Sequence, residues 1–198
     1  PVSSEVIREV LEKASRAPSG GNVQPWRVFV LNGDAQRRFV ALMADRLAAN
    51  PIGEAMDYAI YPENLIEPYR SSRYAVGESM YALMGIPKED KLARLQWLAN
   101  NFRFFGAPAS LFCFTDRIMG PPQWSDLGMF LQTVMLLFQE VGVDTCPQEA
   151  WARWPKTVAE FVGAPPEWML FCGMAIGYKD SSHAVIQLVS QRERVETF

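Results

Sequence analysis

Apolar residues at helical spacing open the chain. Val6, Ile7, Val10, Leu11 and Ala14 share one stripe, which predicts a helix capped by Ser3 or Ser4 and stopped before Pro18. Residues 27–31 (RVFVL) alternate and favour extended backbone, so they predict a strand closed by Asn32-Gly33. Asp34 is the expected cap of a second helix, with Phe39, Val40, Met43 and Leu47 on one face. Residues 50–73 carry Pro51, Gly53, Pro62 and Pro68 among aromatics and read as an irregular, partly helical surface segment. Residues 74–84 read as a helix halted by Gly85 and Pro87. Leu92, Leu95, Leu98 and Phe102 mark another, ended by Gly106 and Pro108.

Residues 109–115 (ASLFCFT) are nearly all apolar, as expected of a strand buried on both faces. After the Gly120-Pro121-Pro122 turn, Ser125 or Asp126 is the expected cap of the most apolar helix, with Met129, Phe130, Val134, Leu137, Phe138 and Val141, closed by Gly142. That composition predicts a central core helix. Pro155 starts a further helix that ends at Gly163, and residues 168–175 form a second buried strand. Strands far apart in sequence and outnumbered by helices give an α+β fold class: one mixed or antiparallel sheet flanked by helices around a buried core helix. Residues 1–198 read as a single domain with a variable segment over residues 50–105.

Composition narrows the function. The formal net charge is −3, with basic residues scattered, so no nucleic-acid partner is expected. No apolar run spans a membrane, because residues 129–143 are interrupted by Gln132, Gln139 and Glu140. No signal peptide is read, and the three cysteines (Cys113, Cys146, Cys172) are far apart with no CxxC pair, which fits reduced thiols in the cytoplasm. The single histidine, His183, lies in a polar segment; no metal site, GxSxG elbow, GxGxxG or GxxxxGK[ST] motif is present. No catalytic side chain is therefore assigned, and a bound cofactor should carry any reaction.

Two stretches invite a ligand. Pro18-Ser19-Gly20-Gly21-Asn22 offers backbone N–H groups with little side-chain obstruction, plus a hydroxyl and an amide. By itself it reads equally well as a stiff helix-to-strand connector. The second stretch, VGVDTCPQEAW, leaves the apolar helix and reaches Pro147, Gln148, Glu149 and Ala150. Together the two can clamp a planar ring system.

The segments RAPSGGNVQPWRVFV, DLGMFLQTVMLLFQEVGVDTCPQEAW and GMAIGYKD, in this order and spacing, resemble the FMN-dependent nitroreductase family, nitrobenzoate-reductase-like members above all. The resemblance implies a mixed sheet with helices and an intertwined homodimer with one FMN at each of two subunit interfaces. It assigns Pro18, Ser19, Gly20 and Asn22 to the flavin, in a turn that often reaches the FMN bound mainly by the partner. Pro147, Gln148, Glu149 and Ala150 would lie along the isoalloxazine ring, and Arg192 would pair with the phosphate, where a guanidinium suits a dianion. Family members usually begin with an Arg-Arg-Ser-x-Arg segment that grips phosphate and ribityl. The sequence starts after it, so trimming at both ends is expected.

The implied activity is ping-pong transfer of hydride from NAD(P)H through flavin N5 to a small aromatic electron acceptor, a nitroaromatic or a quinone. The chain would contribute positioning and electrostatics. Tyr69, Arg70 and Trp124 are the expected substrate contacts, within a cluster that includes Arg73 and Tyr74; an arginine beside aromatics suits a nitrobenzoate. Dehalogenation or enoyl-type reduction on the same scaffold stays open, as does flavin binding without turnover.

Overall fold

The computed structural model describes residues 1–197. They divide into two compact units: Pro1–Ile60 with Asn100–Tyr178, and Tyr61–Ala99 with the chain from Lys179 onward.

The first unit is built on a four-stranded antiparallel sheet in the order β1-β2-β4-β3, formed by β1 (Arg27–Asn32), β2 (Ala109–Asp116), β3 (Asp144–Gln148) and β4 (Trp168–Gly177). The two strands expected to be buried, β2 and β4, are the central ones. Alternation along β2 sends Ala109, Leu111 and Cys113 to one face and Phe112 and Phe114 to the other. The first face is covered by α1 (Ser4–Ala14) and α5 (Pro121–Glu140). The second is covered by α2 (Gly33–Ala49), α6 (Pro155–Val162) and the 3-10 turns Asn100–Gly106 and Glu149–Arg153.

Local details refine several sequence expectations. Ser3 caps α1 by accepting from Val6 N–H. The cap of α2 is Asn32, not Asp34: its side chain accepts from Gly33 N–H, so strand passes directly into helix with no intervening turn. Helix α5 starts at Pro121, where a missing N–H costs nothing, so Ser125 and Asp126 lie inside the helix rather than at its cap. Only one side of α5 is core. Leu127, Phe130, Leu131, Val134 and Phe138 are buried, whereas Met129 and Leu136 are exposed, as is Val141 just past the helix end. Residues 144–148 form the edge strand β3, and Pro147 is tolerated there because an edge strand needs fewer ladder donors.

Part of the segment read as irregular surface is fastened to the first unit. The Glu54 carboxylate accepts from Lys156 N (2.9 Å), Thr157 N (3.1 Å) and Thr157 Oγ1 (2.5 Å), and so caps α6 from a distance of a hundred residues. Gly53 allows the approach: its φ is +97°, and a Cβ there would stand 2.7 Å from the Arg153 carbonyl oxygen. Asp57 makes a two-pronged pair with Arg117 at 2.8 and 3.2 Å.

The second unit holds α3 (Tyr69–Leu83), which starts five residues before the expected position, and α4 (Lys91–Ala99). Arg94 binds Glu78 at 2.6 and 3.0 Å while lying over the Tyr81 ring. Tyr81 is the buried side chain of α3; α4 has none, and Leu92, Leu95 and Leu98 are exposed. No helix among the described residues is long and apolar enough to cross a membrane.

Candidate functional site

The turn after α1 is made rigid by its own hydrogen bonds. Asn22 N–H donates to Ser19 O (3.0 Å), Val23 N–H to Gly20 O (3.1 Å) and Gln24 N–H to Ser19 Oγ (3.0 Å). Gly21, Asn22 and Gln24 take left-handed backbone, with φ of 56°, 57° and 51°. Glycine meets that demand at 21 without strain, and asparagine is the side chain that tolerates it best at 22. The expected row of free backbone donors is therefore largely spent inside the turn. Pro18, Gly20 and Asn22 are exposed and Ser19 half-buried, so the turn presents side chains and bare glycine backbone.

The turn is mounted on α5. Gly20 N–H donates to both oxygens of Asp126, at 3.2 and 3.3 Å. Past the turn, Trp26 stacks on Phe130 with centroids 4.7 Å apart and planes 8° off parallel. Asp126 is 4% exposed, an unusual place for a carboxylate, and its position in α5 gave no hint of this contact in the sequence.

At the other stretch, β3 runs into the 3-10 turn Glu149–Arg153. The Gln148 side chain faces inward: Nε2 donates to Asn101 O (2.9 Å) and Oδ1 (3.2 Å), while Oε1 accepts from Trp151 Nε1 (3.4 Å). Pro147 and Glu149 are exposed on either side of it, and Ala150 is half-buried. Gln148 thus fixes the strand exit from behind, and its exposed neighbours are what a ligand could meet.

Trp124, in the first turns of α5, packs against Tyr58 (5.7 Å) and Phe171 (6.1 Å). Its indole Nε1 is buried and has no hydrogen-bond partner. Tyr58 was not legible as a site residue in the sequence, because the proline-broken segment around it carries no periodicity. Its hydroxyl donates to the Phe171 carbonyl. Burial, with smaller contributions from Cys172 and Glu149, raises its pKa above the ordinary phenol range, so it remains a donor at every working pH.

The remaining expected residues belong to the second unit. Tyr69 begins α3 and is exposed. Arg70 is paired with Glu67, Nη2 to Oε1 at 2.7 Å, so its charge already has a partner. Arg73 lies 3.9 Å over the Tyr61 ring. Arg192 is exposed, and its guanidinium bonds Ser190 and Gln191, its own chain neighbours.

A helix-flanked antiparallel sheet with a glycine turn seated on α5 and a bent edge-strand exit defines the class, and the Nitroreductase family profile matches residues 1–178. The chain is an oxidoreductase belonging to the Nitroreductase family. It is 35% identical over 198 residues to the 4-nitrobenzoate reductase of Pseudomonas putida, covering 100% of this chain and 86% of that one. The crystal structure of the FMN and NADPH-dependent nitroreductase NfnB of Sphigopyxis sp. strain HMH superposes with a TM-score of 0.95 at 42% identity, over 100% of this chain and 88% of the other. The NfnB of Mycobacterium smegmatis, in complex with NADPH, gives a TM-score of 0.92 at 28% identity, over 99% and 87% of the two chains.

Proposed function

We propose that this chain is an FMN-dependent, NADPH-oxidising reductase of nitroaromatic compounds. The observation that carries the reading is the rigid 18–22 turn, held by Asp126 on the first turns of α5. Its exposed glycine backbone leaves a flat ligand room: a Cβ at Gly20 would meet nothing closer than Asp126 Oδ2 at 3.9 Å. The likeness to FMN- and NADPH-dependent NfnB supports the same cofactors here.

The residues present fit FMN. Pro18, Ser19, Gly20 and Asn22 would hold it from one stretch, and Pro147, Glu149 and Ala150 from the other, with Gln148 fixing the backbone of the second. The family resemblance assigns the phosphate to Arg192, whose guanidinium bonds Ser190 and Gln191. FMN supplies a two-electron hydride acceptor and donor when bound. The chain's part is to bind, orient and exclude water. Trp124 and Tyr58 pack together as an aromatic wall for the acceptor.

The acceptor is a small nitroarene, including nitrobenzoates; quinones are accepted by the same flat-stacking requirement. The chain acts as a homodimer. The exposed apolar outer side of α5 (Met129, Leu136) supports that state, as do the exposed leucines of α4.

The test is an absorption spectrum of the purified protein after adding FMN, followed by NADPH without air. A bound flavin band that bleaches with NADPH and returns with nitrobenzoate is expected. No band would overturn the cofactor assignment, and a band that does not bleach would leave a flavin carrier without turnover.

A further inference from the structure

We propose that Asp126 is a positioning residue for the flavin: with Phe130 it forms a two-point mount that fixes the 18–22 turn, and its carboxylate is the polar half of that mount. The proposal rests on the FMN reading above. Asp126 and Phe130 are four residues apart in α5 and so share one helix face. Asp126 takes Gly20 N–H at the entry to the turn, and Phe130 stacks Trp26 at its exit. The turn is braced between these points by the Ser19, Asn22, Val23 and Gln24 bonds. An internally braced loop held at both ends can move only as a body, and only if one hold is released.

The two holds differ in what they demand. The Trp26–Phe130 stack is apolar and tolerates sliding within its plane. The Asp126–Gly20 bond is directional and sets the height of the glycine backbone over α5. A carboxylate 4% exposed is costly to bury and is matched here by a backbone N–H, not by a cation. Leucine or alanine would serve the core better, so its placement makes sense as a means of orienting the turn. Residues 124 and 126 also tie the acceptor wall and the cofactor turn to the same helical segment.

The experiment compares Asp126→Ala and Asp126→Asn, using the full chain. Two quantities are read: amide exchange of Gly20 without cofactor, and the FMN dissociation constant from quenching of flavin fluorescence. Asp126→Ala should speed Gly20 exchange and raise the FMN Kd, each about tenfold, the effect of losing one charge-assisted hydrogen bond. Asp126→Asn keeps an acceptor oxygen and should restore the Kd to within about threefold. If the alanine variant does not fold, Asp126→Leu, which fills the space without an acceptor, takes its place.

Unchanged Gly20 exchange in the alanine or leucine variant overturns the tether. Faster exchange with an unchanged Kd overturns the positioning role, as does equal weakening by Ala and Asn. Absence of FMN binding by the unsubstituted chain overturns the flavin reading and the positioning role with it, while Gly20 exchange still decides the tether by itself.

Discussion

The indole of Trp151 closes directly on the backbone of Gly173: a Cβ at 173 would stand 2.2 Å from Cδ1 and 2.8 Å from Nε1. Trp151 is wholly buried, stacked on Phe104 at 4.7 Å and edge-on to Phe112 at 5.2 Å, so it has nowhere to retreat. Gly173 also opposes Gln148 in the β3–β4 pairing. Gly173→Ala should destabilise the fold by about 3 kcal/mol, the upper part of the usual overpacking range. A urea titration read by tryptophan fluorescence measures it, and an unshifted midpoint would mean the indole has room to move.

Glu54 gives a second test. Its carboxylate satisfies two backbone donors and one hydroxyl at the start of α6. Glu54→Ala should cost about 1–2 kcal/mol, as for loss of a helix cap. Glu54→Gln, which keeps an acceptor, should cost less than half as much. The pair of thermal midpoints checks this, and equal losses would show that the charge rather than the acceptor matters.

The carboxylates held below their ordinary pKa lie in the second unit. Hydrogen bonds from Ser71 and Arg70 lower Glu67, the Arg94 guanidinium lowers Glu78, and Ser182 lowers Asp180. A pKa that is lower folded than unfolded gives stability that is present above the unfolded value and lost as pH falls through the folded one. The second unit should therefore loosen first on acidification below about pH 4.5, the ordinary glutamate value. Amide exchange across a pH series should show residues 61–99 losing protection before β2 and β4, and Glu78→Gln should flatten the response.

Thiol reactivity separates the three cysteines. Cys113 and Cys172 are buried and opposed across β2 and β4, and burial pushes the Cys172 thiol up to about 12. Cys146 is exposed. A disulfide reagent at pH 8 should titrate one thiol per native chain and all three after denaturation. A second fast thiol in the native protein would show that the β2–β4 centre opens.

Arg70 tests substrate choice. Its guanidinium is engaged by Glu67, so a carboxylated substrate drawn to Arg70 would compete with that glutamate. Arg70→Ala should raise the KM for 4-nitrobenzoate about tenfold and leave nitrobenzene unchanged, as expected for one lost ion pair of about 1.4 kcal/mol. Glu67→Gln should lower the nitrobenzoate KM. Equal effects on both substrates would remove Arg70 from recognition.

What the sequence determined by itself was local or compositional. The stripe in α1, the unbroken apolar runs of β2 and β4, and Gly163 closing α6 follow from periodicity and backbone preference. The 18–22 turn stood out for its glycines and short polar residues, and left-handed backbone at Gly21 and Asn22 accounts for two of them. Tertiary structure alone decided which groups meet. Asp126 reads as a helix cap until Gly20, 106 residues away, is seen on its carboxylate. Glu54 and Tyr58 sit in a segment without period, so their partners on α6 and β4 could not be inferred. Gln148 gives no sign in the sequence that its amide is held by Asn101, 47 residues away. The physical reason is common to all four. Helix and strand patterns are written in neighbours along the chain, whereas a single hydrogen bond between distant segments leaves no periodic trace and is fixed only when the sheet brings those segments together.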